Sequence, residues 1–344
     1  MKRLLVVCAA SLLSCFLVSA QEADNSGRSV ELSVIPRIDL APEFYNDGSG
    51  AFTLGNTSLY SLFEGSITDN LSFSVANHWA GFYSVDDLWA ADTKALYQNT
   101  LKRTANWLDW ANLTWSFGDF SLTLGKDLIT TGGIEFDDYD FDVHPIMVSS
   151  LWNGFDAYQW GAKLGWSPAE DQELTFQVTT SPYVDDLFGK PWFNYSLGWT
   201  GTIGDAIETI WSATAVQWDK ASEGLLDAYF WLVCLGQRAS LGDWTLGLDL
   251  SNATMMPGDL SYGMTVMPSV AYALSEKVDF FAKGGWENQI CKDELADPSC
   301  WFAGAGLNWR PVENLRLHAL AAYNELWECA SVSIGATYYL RFGK

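Results

Sequence analysis

The chain has 344 residues, 49% of them hydrophobic, with 18 Trp, 14 Tyr and 19 Phe, and a formal net charge of −23. Its 42 acidic residues against 19 basic ones argue against nucleic acid as a partner, because phosphates have to be met by Lys and Arg. A soluble acidic protein or a passage that draws in cations both fit that balance.

The first element is a targeting segment. Met1-Lys2-Arg3 precedes an apolar run from Leu4 to Val18, which ends in Val18-Ser19-Ala20. A positive start, an apolar middle and a small-x-small exit read as a secretory signal peptide over residues 1–20. Leu12-Leu13-Ser14-Cys15 also makes a passable lipoprotein box, but the chain stays apolar through Phe16, Leu17 and Val18, which suits cleavage after Ala20 better. The mature chain is then expected over 21–344; losing Lys2 and Arg3 leaves 17 bases against 42 acids, a charge of −25. No run of 18 apolar residues follows Gln21, so spanning helices are not expected.

From Ser29 to Phe342 the dominant period is two. Val332, Ile334, Ala336, Tyr338, Leu340 and Phe342 share one face of the last strand, and Ser331, Ser333, Gly335, Thr337, Tyr339 and Arg341 the other. The pattern recurs at 158–166, 174–179 and 244–251. Alternation alone says only that one face of each strand is apolar. Here the polar face is mostly Ser, Thr, Gly, Gln and Asn, and the apolar face ends in Trp and Tyr. A lipid-facing band with aromatic girdles around a wet lumen has that composition; a soluble sandwich would carry more Lys and Glu on its polar face.

Tight-turn residues cluster at 66–70, 118–119, 167–172, 203–205, 241–243, 274–277 and 310–313. Longer acidic and aromatic segments lie between them at 40–56, 80–104, 127–155, 182–192, 218–224, 252–260 and 287–299, and a short turn near 325–329 completes the series. Seven hairpins plus an N-terminal strand near 29–39 and a C-terminal strand at 330–342 give sixteen strands. Weak alternation near 206–218 keeps fourteen or eighteen open, and Pro36 and Pro268 fall inside expected strands. The expected fold is therefore all-β: a transmembrane antiparallel β-barrel over 21–344, with long outer loops and short periplasmic turns. Sixteen strands are wide enough for an aqueous channel.

The stretches 110–115 and 118–126 (Trp-Ala-Asn-Leu-Thr-Trp, then Gly-Asp-Phe-Ser-Leu-Thr-Leu-Gly-Lys) resemble the hairpin before the constriction loop of sixteen-stranded general porins. Gly132-Gly133-Ile134-Glu135-Phe136-Asp137 and the acidic loop after it are similar to Bacteroidetes-type porins grouped with the phosphate-selective superfamily. The Tyr338, Leu340, Phe342 pattern is similar to the signal for barrel insertion, although Gly343-Lys344 follow it. The resemblance implies passive diffusion of small hydrophilic solutes across a bacterial outer membrane. It also implies outer-membrane lipid and lipopolysaccharide as surroundings and a homotrimer as the assembly. Phosphate-selective members carry lumen bases; here Arg37, Lys163, Lys283, Arg238, Arg316 and Arg341 are expected inside but form no run.

The third long segment carries Glu135, Asp137, Asp138, Asp140 and Asp142 with no Lys or Arg. If it folds into the lumen, its carboxylates would favour cations, and Phe136, Tyr139 and Phe141 would offer stacking faces to sugars. A solvated surface loop is an equal alternative. The Asp spacing lacks the glycine and distal glutamate of an EF-hand, so no metal is expected. Cys291 and Cys300 share one expected outer loop, which favours a disulfide, though the four cysteines after residue 20 allow three pairings. His78, His144 and His318 are the only histidines, with no Gly-x-Ser-x-Gly elbow and no Walker loop, so neither an enzyme nor a cofactor is expected.

Overall fold

A computed structural model describes residues 29–84, 108–137, 143–183, 192–204, 206–218, 228–252, 264–288 and 299–343. The ladder begins with β1 (Val30–Tyr45), β2 (Gly50–Thr68), β3 (Leu71–Ser84), β4 (Leu108–Phe117), β5 (Phe120–Leu128) and β6 (Tyr158–Ala169). It continues through β7 (Gln172–Thr180), β8 (Phe193–Ile203), β9 (Ile207–Gln217), β10 (Tyr229–Leu241) and β11 (Trp244–Ser251). β12 (Met264–Ser275), β13 (Val278–Asn288), β14 (Ser299–Val312), β15 (Leu315–Asn324) and β16 (Cys329–Tyr338) complete it.

Each strand pairs antiparallel with its chain neighbours, and β1 pairs with both β2 and β16. The sheet therefore closes into a sixteen-stranded barrel. The last strand is interrupted at Tyr339 and resumes as β17 (Leu340–Gly343), which pairs with the start of β1. Closure satisfies the backbone groups of every strand without an edge, as hydrocarbon demands.

All seven expected tight turns join consecutive strands on one side, the side that also holds Val30 and Gly343. The reading of 40–56 as a long outer segment is corrected, because β1 runs to Tyr45 and β2 begins at Gly50. Glu43, in phase with Asp39, disguised the continuation of the strand past residue 39. Both acids sit on the lumen face, while their alternates Leu40 and Phe44 are 49% and 57% exposed on the outside. Both prolines lie in strands, Pro36 opposite Leu59 and Pro268 opposite Leu248; the ladder from β12 to β13 skips Met267 and Pro268.

The outer surface is apolar and belted. On β14 the outward residues are Trp301, Ala303, Ala305, Leu307 and Trp309, so two tryptophans bracket small and aliphatic side chains. Eight residues at ~3.3 Å per residue span ~26 Å along the strand. A tilt of roughly 40° shortens this to ~20 Å, close to the height of an outer-membrane apolar band. β6 repeats the arrangement with Trp160 and Trp166 around Ala162 and Leu164. Ile334, 61% exposed, lies mid-strand in this band.

Replacing Ile334 by Arg should lower the folding free energy in lipid vesicles by ~2–4 kcal/mol, measured by guanidinium unfolding. An unchanged unfolding curve would mean that the position does not face hydrocarbon.

Candidate functional site

The segment between β5 and β6 lies inside the barrel in its described parts, residues 129–137 and 143–157. It includes a 3-10 turn (Pro145–Met147) and one short helix, α1 (Ser150–Gly154). Its backbone is met by inward-pointing side chains of β1, β7, β9, β11, β13 and β15.

The first limb leaves β5 along the wall from β7 to β11. The Gln177 amide clamps it, accepting from Thr130 N at 2.7 Å and donating to Leu128 O at 2.8 Å. Thr214 Oγ1 donates to Thr130 O at 2.6 Å. Gly132 and Gly133 then pass with φ of +68° and +85°, in the left-handed region that glycine adopts without strain. A Cβ on Gly132 would fall 2.6 Å from Ser212 Oγ, and one on Gly133 2.8 Å from Cys234 Sγ. Gly133 N donates to Ile210 O. The next two amides, of Ile134 and Glu135, both donate to the Asp249 carboxylate, at 2.8 and 3.0 Å. Two glycines at the wall thus aim two consecutive N–H groups at one acid.

Of the acidic residues expected at a constriction, Glu135 is buried, at 4% exposure. It accepts from Ser149 N and Ser149 Oγ and pairs with Lys283 Nζ at 2.8 Å, which ties the two limbs of the loop to β13. Asp137 is half exposed and meets Arg238 at 3.3 Å; Arg238 also reaches Glu208 at 3.1 Å. Asp138, Tyr139, Asp140 and Asp142 lie outside the described residues, as does Phe141.

The far end is pinned at Val143 and His144. Arg37, fully buried, donates through Nη1 to Val143 O at 2.9 Å and through Nη2 to His144 Nδ1 at 3.1 Å. Its Nη2 also lies 2.7 Å from Asp39 Oδ2, and His318 Nε2 is 3.1 Å from Asp39 Oδ1. The His144 ring stacks on Phe281 at 5.7 Å and meets His318 edge-on at 5.0 Å. Because Nδ1 accepts from Arg37, the His144 proton sits on Nε2 and the ring is neutral. Burial holds its pKa well below the ordinary 6.5; Arg37, His318 and Arg316 push the same way and Asp39 opposes them.

Ile146 and Met147 pack on Leu320, Ala322 and Cys329, and Asn324 donates to Ile146 O. The return limb is held by Glu287, which accepts from Ser150 N at 3.0 Å and Ser150 Oγ at 3.1 Å. Leu151, Phe155 and Ala157 then bury against Val216, Phe230 and Leu232 on β9 and β10. The loop is therefore fixed to β1, β7, β9, β10, β11, β13 and β15.

Of the bases expected inside, Arg37, Lys163, Lys283 and Arg316 all occupy lumen-facing strand positions. Arg341, opposite Ser33, does so at the turn-side mouth. Five of the lumen bases, Arg238 included, face a carboxylate. Besides Arg37, Lys283 and Arg238, Lys163 is 2.6 Å from Asp127 and Arg341 is 3.9 Å from Glu31. Arg316 donates to Thr337 Oγ1 at 3.2 Å. His78 stacks on the lumen-facing Tyr60 at 4.1 Å. Cys291 lies outside the described residues, so the expected Cys291–Cys300 pair does too; Cys300 is buried beside Glu287. Among the described residues no group of His, Cys, Asp and Glu could hold a metal ion.

The anchors Asp39, Gln177, Thr214, Asp249 and Glu287 were not singled out from sequence. Their only signal was a polar residue in the inward phase of a strand, which every lumen position shares.

Two cavities flank the first limb of the loop. One, of about 480 Å³, is bordered by Arg238, Lys283, Arg316 and His144. The other, of about 410 Å³, is bordered by Thr and Ser side chains of β4, β5, β7 and β8.

Solved structures share this architecture. OmpT of Vibrio cholerae, "an outer membrane protein" in "trimer form", superposes with a TM-score of 0.60 at 12% identity over 92% of this chain and all of that one. A mutant of the Rhodopseudomonas blastica porin gives 0.59 at 13% identity over 90% of this chain and all of its own. The outer membrane channel DcaP of Acinetobacter baumannii gives 0.59 at 12% identity, covering 92% of this chain and 99% of that one. The fold is that of the outer-membrane porins. No protein-family model and no curated protein sequence matches the chain.

Neutralising the carboxylate that holds Ile134 and Glu135, with Asp249→Asn, should remove ~1.5–3 kcal/mol of anchoring. The loop should then be cut faster by chymotrypsin at Phe136, and a cleavage rate equal to the unaltered protein would contradict the anchor. The His144 pKa is depressed in the folded protein, so its contribution to anchoring is full above 6.5 and is lost as pH falls below that value. Proteolysis of the loop should accelerate on acidification, and His144→Gln should flatten that dependence. A profile unchanged by the substitution would remove His144 from the account.

Proposed function

We propose that this protein is a passive channel of the bacterial outer membrane that admits small hydrophilic solutes and ions and prefers cations. The observation that carries the reading is the loop between β5 and β6, whose described residues 129–137 and 143–157 lie inside a closed barrel and are tied to β1, β7, β9, β10, β11, β13 and β15. Such an element narrows a lumen without plugging it with a separate domain. The apolar, girdled exterior supports placement in outer-membrane lipid and lipopolysaccharide. A homotrimer is proposed from likeness to OmpT, which was solved in a trimer form.

The cation preference rests on compensation. Arg37, Lys163, Arg238, Lys283 and Arg341 each lie within 4 Å of a carboxylate, so their fields largely cancel. The chain's 42 acids against 19 bases then set the sign of the potential. Asp138, Asp140 and Asp142 follow Asp137 in the loop and are proposed to add to the negative ring, with Tyr139 beside them. The phosphate-selective reading needs lumen bases without acidic partners, and the ion pairs speak against it.

The test is a planar-bilayer recording of the purified barrel across a potassium chloride gradient. Stepwise openings with a reversal potential of cation sign are expected. An anion-sign reversal would discard the acidic constriction and revive the phosphate-type reading. Silence from correctly folded protein would discard the channel.

A further inference from the structure

We propose that the cavity of about 410 Å³ beside the first limb of the loop is a subsite for neutral sugars. The proposal rests on the channel reading and names a solute class for it. The two cavities differ in chemistry although one loop borders both. Three cationic side chains border the first, Arg238, Lys283 and Arg316. Hydroxyls border the second: Thr114 and Thr123 on adjoining strands, Thr175 and Thr200 across from them, and Thr130 and Thr131 on the loop.

Two of its three charged side chains are engaged elsewhere, and the third, Glu173, is a carboxylate able to accept from a hydroxyl. Lys163 is held by Asp127 at 2.6 Å and Asp137 faces Arg238 at 3.3 Å. An anion entering would pass the Glu173 carboxylate and have to compete with Asp127 for Lys163. A sugar does not need to.

Each hydroxyl of a sugar is both donor and acceptor, and so is each Ser or Thr hydroxyl, whose hydrogen turns to suit its neighbour. A wall of rotatable hydroxyls can therefore match successive sugar hydroxyls without a fixed donor pattern. Sugars also present a C–H face, and Leu128, Phe136 and Ile210 supply apolar surface at the cavity. Phe136 is steadied by Trp152, with ring centroids 5.0 Å apart. Thr131 adds a specific sign. It is 2% exposed, and its hydroxyl has no partner among the described residues. A turn about χ1 would bring that unmet group to an incoming hydroxyl. The volume lies in the range of small-molecule pockets, roughly 300–1,000 Å³.

The experiment is a calorimetric titration of the folded full-length barrel in detergent with maltose, compared with Thr175→Val/Thr200→Val. Valine keeps the shape and removes two hydroxyls, and heat-modifiable gel mobility reports that the variant is folded. Saturable binding of maltose in the millimolar range is expected, weakened about tenfold in the double variant. No heat of binding up to roughly 0.1 M maltose, or equal affinity in the two proteins, would overturn the subsite. Bilayer currents without sugar read the channel separately. A conducting protein that ignores maltose loses only the subsite, and a silent one that binds maltose loses only the channel.

Discussion

A segment of irregular backbone buried inside a barrel has to find partners for its peptide groups, and the rest of this structure depends on how it does so. An aqueous-facing wall is polar because water would otherwise meet it, and here part of that wall meets a peptide chain instead. Gln177, Thr214, Asp249, Glu287, Asn324 and Arg37 each donate to or accept from the loop backbone. A buried amide left alone would cost a large part of a hydrogen bond's worth. The inward phase of the strands thus serves two ends, wetting the passage and seating the loop.

Charge follows the same economy. The lumen bases are spread around the wall, and most are matched to acids close by: Arg37 to Asp39 two residues along its own strand, Lys163 to Asp127 on the loop side, Lys283 to Glu135 across the interior. Ion pairs of this kind fix the geometry of a lumen more than they set its sign. The excess of acid over base remains, and it is the term that reaches beyond contact distance.

The barrel was legible because its signal repeats. Period two, turn residues at regular places and tryptophans at strand ends are each weak once and strong when repeated along the chain. Even β9, where alternation fades, was recovered by its place between the turn at 203–205 and the longer segment at 218–224. The fault at 40–56 has the opposite cause: Glu43 is an acid on the lumen side of a strand, and a local reading gives acids to loops. The inward loop was legible only as a length and a charge. Nothing local marks Asp249 as the acceptor of two loop amides 114 and 115 residues earlier, since its neighbours alternate as any strand does. Gly132-Gly133 was visible as a motif, but its reason, contact with Ser212 and Cys234 on two other strands, exists only after closure.

The spread of anchors over non-adjacent strands has a mechanical consequence. A closed sheet resists stretching along its hydrogen bonds but yields easily to flattening, because an ellipse and a circle of equal perimeter use the same ladder. Arg37 on β1 and Asp249 on β11 grip one continuous segment at two stations, and Glu287 on β13 grips it at a third. The loop is a cross-brace as well as a constriction. Lateral pressure from the surrounding lipid would have to shear those anchors before it could change the outline of the pore.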